Sequence, residues 1–122
     1  MPSTVTIPLL TSAWDGFSAV DDTAVWVANP SRGKLIRFDP RTGTPQEIPV
    51  GEPVDRADVA AGDGAVFYVD LDSGTATRFD PATRKRVASG VRVATNPGAA
   101  VVAGSALWVT DTGRDTVARL TF

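Results

Sequence analysis

The stretch Val25-Trp26-Val27 returns as Val66-Phe67-Tyr68 and again as Leu107-Trp108-Val109, each time 41 residues further along the chain. No gap is needed to keep this spacing in the region. A second motif follows the same period, because Arg37-Phe38-Asp39-Pro40 lines up with Arg78-Phe79-Asp80-Pro81. The chain is therefore built from copies of one structural unit.

Each copy has the pattern of four short strands, A to D. Strand B is apolar on both faces instead of alternating, which predicts a strand covered by neighbouring sheets on two sides. Turn residues such as Asp63-Gly64 and Gly104-Ser105 separate strand A from strand B, and Pro49 fits only an outer edge strand. A period of about 40 residues made of short strands is typical of β-propeller blades. We predict an all-β propeller fold with three four-stranded blades per chain.

The beginning of the chain extends the repeat. Ile7-Pro8-Leu9 matches Ile48-Pro49-Val50 at the same spacing, so residues 4–10 are predicted to form a strand D with no A, B or C before it. The third blade then lacks its own strand D. Three blades fall below the roughly four to eight that close a ring. We expect residues 1–122 to be one half-propeller that closes a six-bladed ring as a homodimer by inter-chain strand exchange, or forms a higher cyclic oligomer.

Charge and composition exclude several classes of partner. Twelve basic and fourteen acidic residues give a net charge of −2, with no basic stripe for a phosphate backbone, so we expect no nucleic-acid partner. No run approaches the roughly 20 apolar residues of a membrane span, and we expect no membrane partner. The chain has no cysteine, which removes disulfides and thiolate metal sites.

Residues that recur in every copy are expected to do structural work. Arg37, Arg78 and Arg119 recur at the 41-residue spacing, which predicts an ion pair or a bond to a loop carbonyl repeated in each blade. Trp26 and Trp108 recur in the same way and are expected in the core.

With Val25-Trp26-Val27, the turn at residues 37–43 and the loop Thr95-Asn96-Pro97-Gly98 in view, the chain resembles the YVTN and NHL-type propeller repeats, including the virginiamycin B lyase-like group. The resemblance covers essentially the whole chain. It implies a six- or seven-bladed ring, of which this chain is a fragment, a natural half or an engineered piece. Lyase-type members work with a catalytic histidine and a magnesium ion, and the sequence has no histidine.

In a propeller, the loops from D to A and from B to C emerge on one face, around the mouth of the central channel, where ligands are usually held. Trp14 lies in such a loop, where it could form an aromatic platform, flanked by Asp15 and Arg56, for a sugar or a peptide side chain. Alternatively, it fills a gap between blades. The candidate ligand-binding residues are Trp14, Asp15, Asp55, Arg56, Asn96, Arg32, Asp72 and Arg114.

The residue inventory favours no catalytic site. With no histidine or cysteine, no evident nucleophile and base stand side by side. Residues 70–74 suggest a calcium loop but also suit a plain turn, and lack the later glycine and glutamate of an EF-hand. We therefore predict a non-catalytic binding or structural scaffold, not an enzyme, with no cofactor and no metal site. The alternative is a propeller-type lyase or hydrolase with a carboxylate-held metal in the channel, near Asp58.

Overall fold

The fold is that of a computed structural model, which describes residues 17–122. The predicted opening strand at residues 4–10 lies outside the described residues, and so do the candidate residues Trp14 and Asp15. Within residues 17–122, no helix is long and apolar enough to cross a membrane.

The chain folds into three antiparallel sheets, each made of strands that are consecutive in sequence. Sheet 1 contains β1 (Ser18–Val20), β2 (Val25–Asn29), β3 (Lys34–Phe38) and β4 (Pro45–Pro49), with a short 3-10 helix (Pro30–Arg32) between β2 and β3. Sheet 2 contains β5 (Ala57–Gly62), β6 (Ala65–Asp70), β7 (Thr75–Phe79) and β8 (Arg86–Arg92). Sheet 3 contains β9 (Pro97–Ala103), β10 (Ala106–Asp111) and β11 (Thr116–Thr121). These strands fall at the repeat positions predicted for A to D.

Two-residue turns join strand A to strand B in sheets 2 and 3. Asp63 and Gly64 have φ values of 50° and 78°, and Gly104 and Ser105 have φ values of 59° and 55°. A pair of positive φ angles gives the primed type of turn whose twist suits a tight hairpin. The aspartate and glycine that predicted these turns therefore supply the backbone conformation they need.

Sheet 2 lies between the other two sheets and shares an apolar core with each. Its strand β6 is buried along Ala65–Val69, which confirms the prediction of a strand covered on both sides. The inner strands contact one another in the order β1, β5, β9. The core between sheets 1 and 2 includes Trp26, Leu35, Ile48, Val59, Val66, Tyr68 and Phe79. The core between sheets 2 and 3 includes Ala60, Phe67, Val69, Ala76, Leu107 and Val109.

Each sheet has two unlike faces. We call the face that carries Trp26 in sheet 1, Phe67 in sheet 2 and Trp108 in sheet 3 the forward face; these three positions are one repeat apart. The opposite, receiving face carries Val25 in sheet 1, Val66 in sheet 2 and Leu107 in sheet 3. The forward face of sheet 1 packs on the receiving face of sheet 2, and the forward face of sheet 2 packs on the receiving face of sheet 3.

The forward face of sheet 3 is not covered by residues 17–122. Trp26 is 0% exposed and Phe67 is 2% exposed, whereas Trp108 is only half-buried. The expectation of a core position therefore holds for Trp26 but not for Trp108, because a side chain on this face is buried only by a following sheet.

The recurring arginines stack over aromatic rings. Arg37 lies 5.9 Å from the centroid of the Trp26 ring, and Arg119 lies 5.6 Å from that of Trp108. Arg78 lies 4.9 Å from the ring of Phe122, one sheet further on. A guanidinium within about 6 Å of a ring centroid is attracted by the negative face of the ring. The repeated structural role is thus a cation–π contact, to which Arg37 adds a long bond of 3.5 Å to the carbonyl of Thr23.

Two glycines allow strand D to pass close to the loop between B and C. Gly33 and Gly74 have φ values of 61° and 76°, and a Cβ on them would lie 2.1 Å from the carbonyl oxygen of Gly51 and 2.0 Å from that of Ala94, respectively. The third repeat has Asp115 at this position, with φ of 53°. Only a residue without a side chain fits at Gly33 and at Gly74, where the two backbone segments approach each other this closely.

Candidate functional site

The loops that precede strand A and follow strand B meet at one end of each sheet. In sheet 2 this follows from the register, which places Ala57 at the start of β5 opposite Asp70 at the end of β6. In sheet 3 the corresponding pair is Pro97 and Asp111. The candidate residues in these loops therefore lie at a common end of the stacked sheets, which we call the loop face.

Asp72 organises the loop face beside sheet 2. Its Oδ2 accepts hydrogen bonds from the backbone amides of Asp55 at 2.9 Å and Arg56 at 3.3 Å. Its Oδ1 lies 3.5 Å from Nε of Arg56, and the two side chains are 39% and 56% exposed. Arg56 also donates from Nη2 to the carbonyl of Leu71 at 3.4 Å. Asp55, Arg56 and Asp72 thus form one exposed cluster with both signs of charge.

Asp111 plays the equivalent part beside sheet 3. Its Oδ2 accepts from the amide of Thr95 at 3.0 Å, and its Oδ1 accepts from the amide of Asn96 at 3.2 Å. The bond from Thr95 is the main reason that the pKa of Asp111 lies below its ordinary value, helped by the charge of Arg114. The side chain is 5% exposed, so its carboxylate holds the loop instead of facing a ligand.

The other predicted residues are more scattered. Asn96 accepts two bonds at its backbone carbonyl, from the amide and the hydroxyl of Thr112, both at 3.0 Å. Arg114 lines a polar groove at the edge of sheet 3 together with Arg92 and Asp111. Arg32 is exposed in the 3-10 helix. Of the six predicted residues that lie within residues 17–122, the structure thus gathers three into a contact cluster.

Sequence reasoning considered Asp70 only as part of a calcium loop or a turn, and did not single out the polar residue that recurs at the end of strand B. Asn29, Asp70 and Asp111 occupy this position at the repeat spacing. Asp70 accepts from the amides of Asp72 at 2.9 Å and Ser73 at 3.2 Å, and Ser31 donates to Oδ1 of Asn29 at 3.1 Å. A polar side chain repeated directly after an apolar strand was the available signal, because such residues bond nearby backbone amides in turns.

Asp58, the residue considered for a channel metal, lies on the forward face of sheet 2. Burial raises its pKa above the ordinary value, although the amides of Ala100 and Val59 donate to it. The amide bonds are 2.8 Å each and involve both carboxylate oxygens. In the part of the chain described, no three carboxylates come together as a set that could hold a metal ion.

The sequence matches no protein-family model, and it matches no curated protein sequence. Solved structures do match. A catalytically inactive variant of virginiamycin B lyase from Staphylococcus aureus, with quinupristin, has a TM-score of 0.74 at 20% identity and covers 93% of this chain. A streptogramin B lyase structure has a TM-score of 0.69 at 18% identity. Hydrazine synthase of Kuenenia stuttgartiensis has a TM-score of 0.62 at 16% identity.

These matches confirm the propeller type of fold, with three antiparallel sheets in this chain. The chain spans only 40% of the inactive lyase variant and 43% of the streptogramin B lyase. The prediction that the chain is not an enzyme is wrong as it was made, because two of these structures, similar over nearly its whole length, are lyases. The inventory argument failed because it treated three sheets as a complete site, whereas the matched lyases contain more than twice this length of chain.

Proposed function

We propose that this chain supplies three blades of a β-propeller ring, that a second copy closes the ring to six blades, and that the closed ring binds a ligand at its loop face. The observation that carries the proposal is the state of the forward faces. Those of sheets 1 and 2 are covered by the following sheet, while Val101 and Val117 on the forward face of sheet 3 are each 58% exposed. Burial of such a face releases water from apolar surface.

The outer edge of sheet 3 supports the same proposal. Among residues 17–122, no strand pairs with the outer edge of β11, although β3 and β7 each pair with a strand D. An unpaired edge of this kind is a template for a strand from another chain. By sequence, residues 4–10 of a second copy have the pattern of β4.

The cluster of Asp55, Arg56 and Asp72 supports a ligand at the loop face. The Arg56 and Asp72 side chains are exposed and oppositely charged, and Arg114 is exposed at the equivalent end of sheet 3. Such groups suit a polar ligand, such as a peptide or a sugar. Amide chemical shifts measured against a panel of monosaccharides and short peptides test this part, with Arg56→Ala as the variant expected to lose the response.

Lyase chemistry is the second candidate, because two of the structures with this fold are lyases. The inactive form in one of them is a histidine-to-alanine variant, and this chain has no histidine. Acid and base work in the closed ring would therefore fall to carboxylates, lysine or Tyr68. Turnover of a streptogramin B antibiotic, followed by mass spectrometry, tests this candidate directly.

The molar mass in solution tests ring closure. At low micromolar concentration, light scattering should give twice 12.8 kDa for the wild type. Trp108→Lys should give a folded chain of single mass, because a charge on the forward face of sheet 3 opposes burial. Lys85→Ala changes an exposed residue outside both end faces and is the control expected to stay dimeric. A wild type of single mass at all concentrations would contradict the proposal.

A further inference from the structure

We infer that the forward face of sheet 3 packs against the receiving face of sheet 1 of a second copy, in the same residue register as the two junctions inside the chain. This inference rests on the proposed function, ring closure by a second copy. We call the contact between sheet 3 of one copy and sheet 1 of the other the seam. The inference adds which residues meet across the seam, and this makes a separate experiment possible.

The forward face of sheet 3 has the shape of a docking surface. Trp108 pairs with Val101 on one side and with Arg119 on the other. Together with Ala99, Thr110 and Val117, Trp108 and Val101 line an apolar groove of about 140 Å³. Arg119 stacks over Trp108 in the way that Arg37 stacks over the buried Trp26. The arrangement that is buried between sheets 1 and 2 is thus already assembled on sheet 3.

The chain carries the complementary surface at its other end. Val20, Val25 and Val27 lie on the receiving face of sheet 1, because Val20 pairs with Val25, and Ser18 pairs with Val27. Val20 is 67% exposed, and Val25 and Val27 are partly exposed.

The repeat equivalents of Val25 and Val27 are buried. Leu107 and Val109 occupy their positions on sheet 3 and are 0% and 1% exposed, covered by the forward face of sheet 2. A second copy is therefore the occupant that this chain itself is built to receive, since sheet 3 of that copy offers the same kind of forward face that sheets 1 and 2 use in the internal junctions.

The internal junction between sheets 2 and 3 fixes the register. A Cβ on Gly62 would lie 3.6 Å from Cβ of Val102. Ala103 lies one repeat after Gly62, and Val20 lies two repeats before Val102, in the first sheet. In a ring of identical junctions, Ala103 of one copy therefore meets Val20 of the other at a similar distance, which is within the Cβ separation of a disulfide.

A second contact shows how the seam differs from the internal junction. The carboxylate of Asp58 in sheet 2 accepts a hydrogen bond from the backbone amide of Ala100 in sheet 3. One repeat later, the equivalent positions are Ala99 and Ser18 of the other copy. The seam lacks this carboxylate, so it joins through apolar contacts around Trp108 without the buried acid of the internal junction.

Disulfide trapping tests the register, and the absence of cysteine from the chain makes each introduced thiol unique. Val20→Cys and Ala103→Cys are purified separately, mixed, and oxidised with oxidised glutathione. We expect a covalent dimer in the mixture and little in either variant alone, because the proposed contact joins unlike positions. Val20→Cys mixed with Val87→Cys is the matched control, since Val87 is also exposed, at 55%, but lies in the outer strand β8.

The outcomes separate the inference from the proposed function. A chain that is dimeric by light scattering but gives no more cross-link than the Val87 control would overturn the register while leaving ring closure in place. A monomeric chain with no cross-link would overturn both. A cross-link that Trp108→Lys reduces at least about tenfold would establish the face as well as the register.

Discussion

Asp58 in sheet 2 accepts a hydrogen bond from the backbone amide of Ala100 in sheet 3 at 2.8 Å, and so joins two sheets through one buried carboxylate. It accepts a second bond from its neighbour Val59. One side chain therefore satisfies two backbone donors in the middle of an otherwise apolar junction, where an unsatisfied amide would be costly.

Replacing Asp58 should reveal a dependence on pH. Burial raises the pKa of Asp58 above 3.8, so its contribution to stability is complete below that value and is lost as the pH rises through the raised pKa. Asp58→Asn keeps an acceptor oxygen without the charge. In urea unfolding, we expect the variant to gain stability relative to the wild type as the pH rises from 3.8 through the raised pKa. A difference that does not change with pH would refute this reasoning.

Gly74→Ala should destabilise the fold far more than Gly64→Ala. Both glycines have similar φ values, 76° and 78°, but only at Gly74 would a Cβ meet a backbone oxygen, at 2.0 Å; at Gly64 nothing lies within 4 Å. The Gly64 variant thus measures the cost of the backbone conformation alone, about 1 kcal/mol. We expect Gly74→Ala to cost at least about 2 kcal/mol in chemical denaturation. Equal costs would show that the crossing can relax.

At the loop face, Asp72 should contribute more to stability than its ion pair. Asp72→Ala removes the acceptor for two backbone amides and should cost about 1 to 3 kcal/mol. Arg56→Ala removes an exposed ion pair and a long bond of 3.4 Å to the carbonyl of Leu71, and should cost less than about 1 kcal/mol. A double-mutant cycle measures the coupling, and a coupling as large as the full cost of Asp72→Ala would assign the stability to the ion pair instead.

Tyr68 has a buried hydroxyl group with no hydrogen-bond partner among residues 17–122, so Tyr68→Phe should cost little or slightly stabilise the fold. Burial, with Asp70 and Asp72 nearby, raises the pKa of Tyr68 to about 12 from 10.0. The wild type should therefore lose stability relative to the variant as the pH rises from 10 through about 12. Tyr68 is the only tyrosine, so its absorbance titration checks the pKa directly. Titration near pH 10 would contradict the assignment.

The strands and turns could be predicted because their causes are local. Asp63-Gly64 specifies its turn through two φ angles, and the apolar strand β6 implies cover on two sides wherever it is placed. The exposure of Trp108 could not be predicted in this way, since the same residue type at the same repeat position is buried or exposed according to whether another sheet follows.

The candidate site was harder to predict for a related reason. The sequence placed Arg56 and Asp72 in adjacent loops. Which backbone amides donate hydrogen bonds to Asp72, however, depends on how those loops cross. Asp58 was assigned to the channel, although the strand β5 begins at Ala57 and directs its side chain into the junction with sheet 3. The neighbouring sheet that a side chain contacts, and the register between sheets, depend on how the sheets pack together. They cannot be predicted from the sequence of one repeat.

The unlike end faces of this chain have a consequence for its association. A contact between a forward face and a receiving face uses one surface from each molecule, so adding a copy leaves one free surface of each kind at the ends. Growth stops only when the curvature of the stacked sheets brings the last end back to the first. A substitution that flattens this curvature would turn a closed assembly into an open, helical filament.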